Sequence, residues 1–192
     1  MKFVNRIAIL SVVLGLASGL ARAQSPEEIA KAFAEASQPG PEHSKLEPLV
    51  GSWTYTCKMW MAPDKPPMEC KGTIDRKWIL GNRFVEETVK GTGFDGKPGF
   101  EGVGIIGYDK NQKQYTSNWI CTMCTGTCTG VGKLEDGVFT FKTEAFCPMQ
   151  KKVVQGREVL RFESKDRTVA ESYMTIDGKE VKVMEITAVR KK

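Results

Sequence analysis

The sequence predicts an all-β protein, an antiparallel up-and-down β-barrel of about ten strands with a short N-terminal helix. Two observations predict this fold. Apolar and polar residues alternate with a period of two along successive segments after residue 50. Gly, Asn and Asp turn signals separate the segments, and the connections are too short for crossover helices. About ten such strands in one chain suit a closed barrel that holds one small ligand.

The first 23 residues have the three-part form of a secretory signal. Lys2 and Arg6 give a positive start, an apolar run follows from Ile7 to Leu20, and Ala21-Arg22-Ala23 is a small-x-small cleavage site. The run is shorter than the roughly 20 apolar residues that cross a membrane. We therefore expect cleavage after Ala23, a periplasmic or secreted protein, and no membrane span in the mature chain. An uncleaved anchor is the less favoured alternative.

Removal of this leader shortens the 192 residues to 169, which suits one domain with a sizeable core. Three basic residues leave with it, so 25 basic residues face 23 acidic ones and the net charge is about +2. A nearly balanced surface argues against nucleic acid as a partner. The sequence contains no P-loop, dinucleotide fingerprint, nucleophile elbow or His-Glu-x-x-His motif, and it predicts no cofactor. The oligomeric state is not predicted.

A short amphipathic helix is predicted at the start of the mature chain. Ser25-Pro26-Glu27-Glu28 has the form of a capping box, and Gln38-Pro39-Gly40-Pro41 ends the helix. The helix either covers an open end of the barrel or acts as a tether. The predicted organisation is a signal peptide over residues 1–23, a helix and linker over 24–41 and a barrel over 42–192.

The first two strands show the clearest alternation. The predicted inner face of the first contains Trp53, Tyr55, Cys57, Met59 and Met61, and that of the second, between Met68 and Leu80, contains Met68, Cys70, Gly72, Ile74, Arg76, Trp78 and Leu80. A hairpin about residues 62–65 sets Cys57 opposite Cys70, close enough for a cross-strand disulfide.

Further strands follow between turns. The predicted segments are Arg83 to Lys90, whose facing stays open, Phe100 to Tyr108, Tyr115 to Met123 with Trp119 and Met123 inward, Val138 to Phe146, Val153 to Glu163, Thr168 to Ile176 and Glu180 to Val189. Gly102, Gly104 and Gly107 within one strand indicate bending or close approach. Asp177-Gly178 between two alternating runs is a strong hairpin signal.

An arginine at an inward position, Arg76, needs a partner carboxylate, a ligand anion or water. The last hairpin offers two carboxylates, because a two-residue loop puts Glu185 on one face and Glu171 on the other. One of them is therefore expected inside the barrel as the counter-charge of Arg76.

Six cysteines in an exported domain indicate disulfides. Besides Cys57 with Cys70, strand counting brings Cys121 near Cys128 and Cys124 near Cys147. Cys121-x-x-Cys124 with Cys128 also suggests a metal or redox site. A zinc site would need a second such pair, and a thioredoxin-type pair sits at a helix start and not on a strand, so structural disulfides are favoured and no metal is predicted.

Two resemblances follow from the motifs. Gly51-Ser52-Trp53 resembles the Gly-x-Trp start of lipocalins and fatty-acid-binding proteins, where a tryptophan closes one barrel end. More of the chain, from Pro39 onward, resembles the bacterial domain-of-unknown-function family numbered 1579 (DUF1579). The motifs that carry this resemblance are Pro39-Gly40-Pro41-Glu42-His43, Leu49-Val50-Gly51-Ser52-Trp53, Met59-Trp60-Met61 with Pro66-Pro67-Met68-Glu69, Gly81-Asn82-Arg83-Phe84, Phe100-Glu101-Gly102 with Gly107-Tyr108-Asp109, Tyr173-Met174, and Met184-Glu185-Ile186-Thr187.

The resemblance to DUF1579 implies a calycin-like, lipocalin-like β-barrel and no established activity. The six cysteines depart from the family pattern, so no role is carried over to them.

These patterns predict an exported barrel that binds a small, partly apolar molecule. An anionic molecule is one form that this ligand can take. The predicted ligand-binding residues are Arg76 for charge, Trp53, Trp78 and Trp119 for the wall, and Glu185 as counter-charge. One alternative is an enzyme on the same barrel, with an internal carboxylate or His43, the only histidine, as acid or base. Another is an envelope structural or interaction module whose barrel is filled by its own side chains.

Overall fold

The computed structural model describes residues 25–62, 65–93, 96–148, 150–176 and 178–192, and the predicted signal peptide lies outside them. The chain divides into two units, one ending at Glu35 and one over Ala36–Lys192. Most of helix α1, Pro26–Ser37, belongs to the first. Its predicted capping box is present, since the Ser25 N–H donates to Glu28 Oε2 at 2.8 Å and the Glu28 N–H to Ser25 Oγ at 3.1 Å. Within the described ranges, no helix has the length and apolar character to cross a membrane.

Ten antiparallel strands, counted over the described residues, form a closed barrel in which each strand pairs with its neighbours in sequence and the last pairs with the first. The predicted fold class is therefore confirmed. The strands are β1 Gly51–Met59, β2 Met68–Ile79, β3 Phe84–Thr92, β4 Pro98–Asp109, β5 Gln114–Cys121, β6 Cys128–Glu135, β7 Val138–Cys147, β8 Lys152–Ser164, β9 Arg167–Ile176 and β10 Lys179–Arg190.

One end of the barrel is closed by the segment that precedes β1. Helix α2, Pro41–Ser44, and a 3-10 turn, Glu47–Leu49, lie across this end. The Trp53 ring is fully buried, and its Nε1 donates to the Leu49 carbonyl at 3.0 Å. The buried core of this end contains Leu46, Leu49, Val85, Tyr115, Phe139, Phe141 and Leu160. Burial of each large apolar side chain contributes about 1.5–3 kcal/mol to the stability of the fold, so the packing at this end is expected to hold it closed.

The alternation of the first strands is confirmed in their centres and wrong at their ends. In β1, Trp53, Tyr55 and Cys57 are buried while the residues between them are exposed. Met61, expected inside, is 51% exposed because β1 ends at Met59. Leu80, expected inside, is 69% exposed because it lies in the turn after β2 with a φ of 51°.

The predicted close approach at the β4 glycines is confirmed. A Cβ at Gly102 would collide with the ring of Trp119 on the neighbouring strand β5, and one at Gly107 would collide with the ring of Phe84 on β3. Without side chains, Gly102 and Gly104 leave the indole ring of Trp119 room to lie against β4 inside the barrel.

Candidate ligand-binding cavity

The barrel encloses a cavity of about 390 Å³, toward the lower end of the roughly 300–1,000 Å³ typical of small-molecule sites. All ten strands contribute lining residues, and the wall is mainly apolar, with Tyr55, Ile74, Val89, Trp119 and Leu160 among its members. The cavity extends to Thr92, Gly93 and Met123, at the end of the barrel opposite the closed end. We call this the open end.

A buried ion pair lies on the cavity wall. Arg76 on β2 is only 8% exposed and stands directly opposite Glu87 on β3. The Arg76 Nε donates to Glu87 Oε2 at 2.5 Å, and both residues line the cavity. The guanidinium also lies 5.8 Å from the centroid of the Trp53 ring. The positive charge predicted inside the barrel is therefore present and already paired.

The sequence predicts Glu171 or Glu185 as the partner of Arg76. This prediction is wrong, because the partner is Glu87. A β-bulge between Lys182 and Met184 shifts the register of β10 against β9, so that Glu185 stands opposite Glu171. Met184 and Ile186 then line the cavity, and Glu185 between them lies on the outer face. Both carboxylates instead bind Lys182, at 2.6 Å from Glu185 and 3.0 Å from Glu171.

One donor of Arg76 has no acceptor. Its Nη1 is buried and makes no hydrogen bond with any described residue. A buried donor that lacks a partner costs about 1–3 kcal/mol, and proteins tolerate few of them. Because Arg76 lines the cavity, this unpaired donor belongs to the cavity wall.

A second carboxyl group, that of Glu158 on β8, faces the same cavity. Burial raises the pKa of Glu158 to about 7, the negative charge of Glu87 acts in the same direction, and Arg76 opposes the shift. The Glu158 residue is half-buried and lines the cavity. Near neutral pH the group is therefore about half protonated and can donate a hydrogen bond.

The cavity wall also contains four of the six cysteines, Cys57, Cys70, Cys121 and Cys128. The predicted opposition of Cys57 and Cys70 is confirmed by the β1–β2 register. Burial and a hydrogen bond with Cys70 raise the pKa of Cys57. All six cysteines are thiols in the structure, so the Cys57–Cys70 bridge remains a prediction.

Three cysteines near the open end, Cys121, Cys124 and Cys128, form a loose group. The Cys121 and Cys124 thiols hydrogen-bond, while burial, Glu158 and the two neighbouring thiols raise the pKa of Cys128 to about 11. Cys147 is buried at the end of β7. The predicted pairs Cys121–Cys128 and Cys124–Cys147 remain predictions. Over the described ranges, no cluster of three or more His, Cys, Asp or Glu side chains has the arrangement of a metal site.

The predicted ligand-binding residues divide into three groups. Arg76 and Trp119 line the cavity. Trp53 lies beneath Arg76, and Trp78 packs at the closed end, where its Nε1 donates to Glu47 Oε2 at 2.5 Å. Glu185 lies on the outer face, as described above.

Sequence reasoning missed Glu87 and Glu158, although each carries a detectable signal. Glu87 stands between the buried Val85 and Val89, and Glu158 stands in phase with the buried Val154 and Leu160. A carboxylate that interrupts an inward apolar series is the pattern that would have found them.

The only histidine, His43, lies at the closed end and does not line the cavity. Its side chain is 6% exposed, and its Nδ1 accepts the Gly40 N–H at 3.0 Å. The ring meets Tyr108 edge-on, with centroids 5.7 Å apart. Burial lowers the pKa of His43. These contacts fix helix α2 over the barrel end and leave the imidazole away from the interior.

Comparisons with known proteins agree with this architecture. The family model described as "Protein of unknown function (DUF1579)" matches residues 38–190. A search of curated proteins finds no match. Rv2717c from M. tuberculosis, known from a crystal structure, is 17% identical and has a TM-score of 0.60 over 81% of this chain and 100% of that chain. At this identity the likeness concerns the fold alone.

Two further solved structures are more distant. A de novo designed fluorescence-activating β-barrel is 18% identical with a TM-score of 0.41, over 74% of this chain and 93% of that chain. EF1p2_mFAP2b bound to DFHBI is 13% identical with a TM-score of 0.41, over 78% of this chain and 98% of that chain.

Proposed function

This chain belongs to the DUF1579 family of proteins of unknown function, and we propose that it is an exported barrel that binds one small, largely apolar molecule in its interior. The cavity of about 390 Å³ carries the proposal, because a barrel filled by its own side chains would not leave this volume. Its apolar wall with few polar groups is the usual composition of a small-molecule site.

Export rests on the sequence. The signal-like residues 1–23 and the even number of cysteines support it. If export is correct, N-terminal sequencing of the protein from its own cells finds a mature chain that begins at Gln24. A chain that retains its first residues in the cytoplasm contradicts this part of the proposal.

The binding proposal is tested with an uncharged fluorescent probe, N-phenyl-1-naphthylamine, whose emission rises in apolar surroundings. We expect saturable binding of one probe per chain. Ala145→Phe places a ring at a position that lines the cavity, and Thr140→Phe places the same ring at an exposed position of the same strand. The first variant should bind at least about tenfold more weakly and the second like the wild type. No binding by the folded wild type, or equal binding by the two variants, overturns the proposal.

A second candidate, an enzyme built on the same barrel, is favoured by Glu158 and not by His43. A carboxyl group with a pKa of about 7 suits general acid–base chemistry near neutral pH. Proton transfer next to a bound carbonyl is the simplest such reaction. In heavy water the wild type should speed deuterium exchange at the α carbons of decan-2-one, and Glu158→Gln should not. Equal rates with the two proteins argue against this candidate.

A further inference from the structure

We propose that the polar head of the bound molecule is uncharged and carries an oxygen acceptor, such as a ketone carbonyl, which accepts a hydrogen bond from Nη1 of Arg76. This inference rests on the proposed function, because it names the chemical class of the molecule that the cavity holds. Two features carry it: a buried donor without an acceptor, and a charge balance that is already complete.

The buried donor selects for an acceptor. The Arg76 guanidinium stays protonated and has only donors to offer. Its Nε is bound to Glu87, whereas Nη1 is buried without a partner within the described ranges, on a side chain that lines the cavity. An oxygen lone pair in the ligand satisfies this nitrogen. A hydrocarbon leaves it unsatisfied, and an ammonium group would be a second donor that Arg76 also repels.

The charge balance excludes a carboxylate head. Among the lining residues that the structure describes, Arg76 is the one basic side chain, and Glu87 neutralises it at 2.5 Å. A ligand carboxylate would add an uncompensated negative charge beside Glu87, in surroundings where unpaired charge is strongly disfavoured. The anion suggested by Arg76 in the sequence is therefore replaced by a neutral acceptor.

Glu158 completes the polar part of the cavity. Burial raises its pKa to about 7, so that its protonated form, present near neutral pH, is a second donor in the cavity. A carbonyl oxygen has two lone pairs and can accept from more than one donor. A neutral carbonyl oxygen therefore suits the donors of this cavity without adding charge.

Three ten-carbon competitors test the inference in the wild-type protein: decan-2-one, decanoate and decylamine. Each is titrated against bound N-phenyl-1-naphthylamine at pH 6.5. The neutral ketone should displace the probe at a concentration about tenfold lower than either charged analogue, since a ligand charge without a counter-charge is strongly disfavoured inside the barrel. Equal or stronger displacement by decanoate or decylamine overturns the inference.

A matched pair of variants locates the acceptor site. Arg76→Lys keeps the charge beside Glu87 and removes the Nη1 donor. Arg157→Lys makes the same change at a partly exposed arginine that is bound to Glu180 and does not line the cavity. The advantage of decan-2-one over decane should fall about tenfold in the first variant and stay unchanged in the second. An unchanged advantage in folded Arg76→Lys contradicts the assignment.

The two proposals fail differently. If the wild type binds no probe, the proposed function fails. If the probe binds inside the barrel but a charged competitor is preferred, the proposed function stands and the neutral-acceptor inference fails. Because the competitor series uses the wild type, this distinction does not depend on the folding of any variant.

Discussion

Arg76 and Glu87 face each other across two neighbouring strands and form an ion pair inside the barrel, with Nε and Oε2 2.5 Å apart. The pair uses one edge of the guanidinium and leaves Nη1 buried without a partner. The Arg76 charge is therefore neutralised, while one of its N–H donors remains unpaired in the cavity wall. The candidate site follows from this single arrangement.

Loss of the Glu87 carboxylate should destabilise the fold strongly. Glu87→Gln leaves the buried Arg76 charge uncompensated, and breaking a buried pair by removing one partner costs about 3–5 kcal/mol. Glu86→Gln is the control, since Glu86 pairs with the largely exposed Lys77 and its loss should cost less than about 1 kcal/mol. Urea unfolding measures both free energies. Equal losses would show that the interior pair contributes no more than a surface one.

Ionisation of Glu158 should make stability fall as the pH rises. Its pKa is raised in the folded state from 4.5 to about 7, so the folded state binds the proton more tightly than the unfolded state. The resulting stabilisation is complete below pH 4.5 and is lost as the pH rises through about 7, by about 3 kcal/mol at most. The charged groups that act on it are Glu87 on β3, which raises its pKa, and Arg76 on β2, which lowers it.

The measurement for Glu158 is the difference between the wild type and Glu158→Gln in free energy of unfolding from pH 5 to 8. A difference is needed because His43 has the opposite effect. Burial lowers the pKa of His43, so its contribution to stability grows as the pH rises through its unfolded value of 6.5. If the two proteins show parallel pH profiles, Glu158 does not titrate in this range.

The Cys57–Cys70 bridge is a prediction for protein purified from its own compartment. A non-reducing peptide map should find the two residues linked, because they stand directly opposite each other on β1 and β2. The variant Cys57→Ala/Cys70→Ala should be about 3 kcal/mol less stable than the oxidised wild type, as expected for a loop of about 15 residues. Free thiols at both positions in exported protein would remove this bridge.

The contact between Gly102 and Trp119 predicts a cost for one added methyl group. Gly102→Ala drives a Cβ into the indole ring, so the variant should lose about 1–3 kcal/mol and change the fluorescence of Trp119. Gly126→Ala is the matched control, because a Cβ there meets no atom within 4 Å. Similar unfolding midpoints and spectra for both variants would mean that the ring moves aside freely.

Much of the barrel could be predicted from the sequence, because apolar and polar residues that alternate with a period of two indicate a β-strand with one face in the core. The strand ends could not, and the predicted inward positions of Met61 and Leu80 are therefore wrong. The partner of Arg76 was also missed, for two physical reasons. A bulge in β10 puts Glu185 on the same outer face as Glu171, and sequence alternation does not reveal a bulge. The facing of β3 stayed open, and with it the inward position of Glu87.

The crystal structure of the wild type saturated with N-phenyl-1-naphthylamine tests the central claim most directly. The account predicts electron density for one probe molecule inside the barrel, against Trp119 and within contact distance of Arg76. Density for the probe only on the outer surface of the barrel, or an interior closed by rearranged side chains, would contradict it.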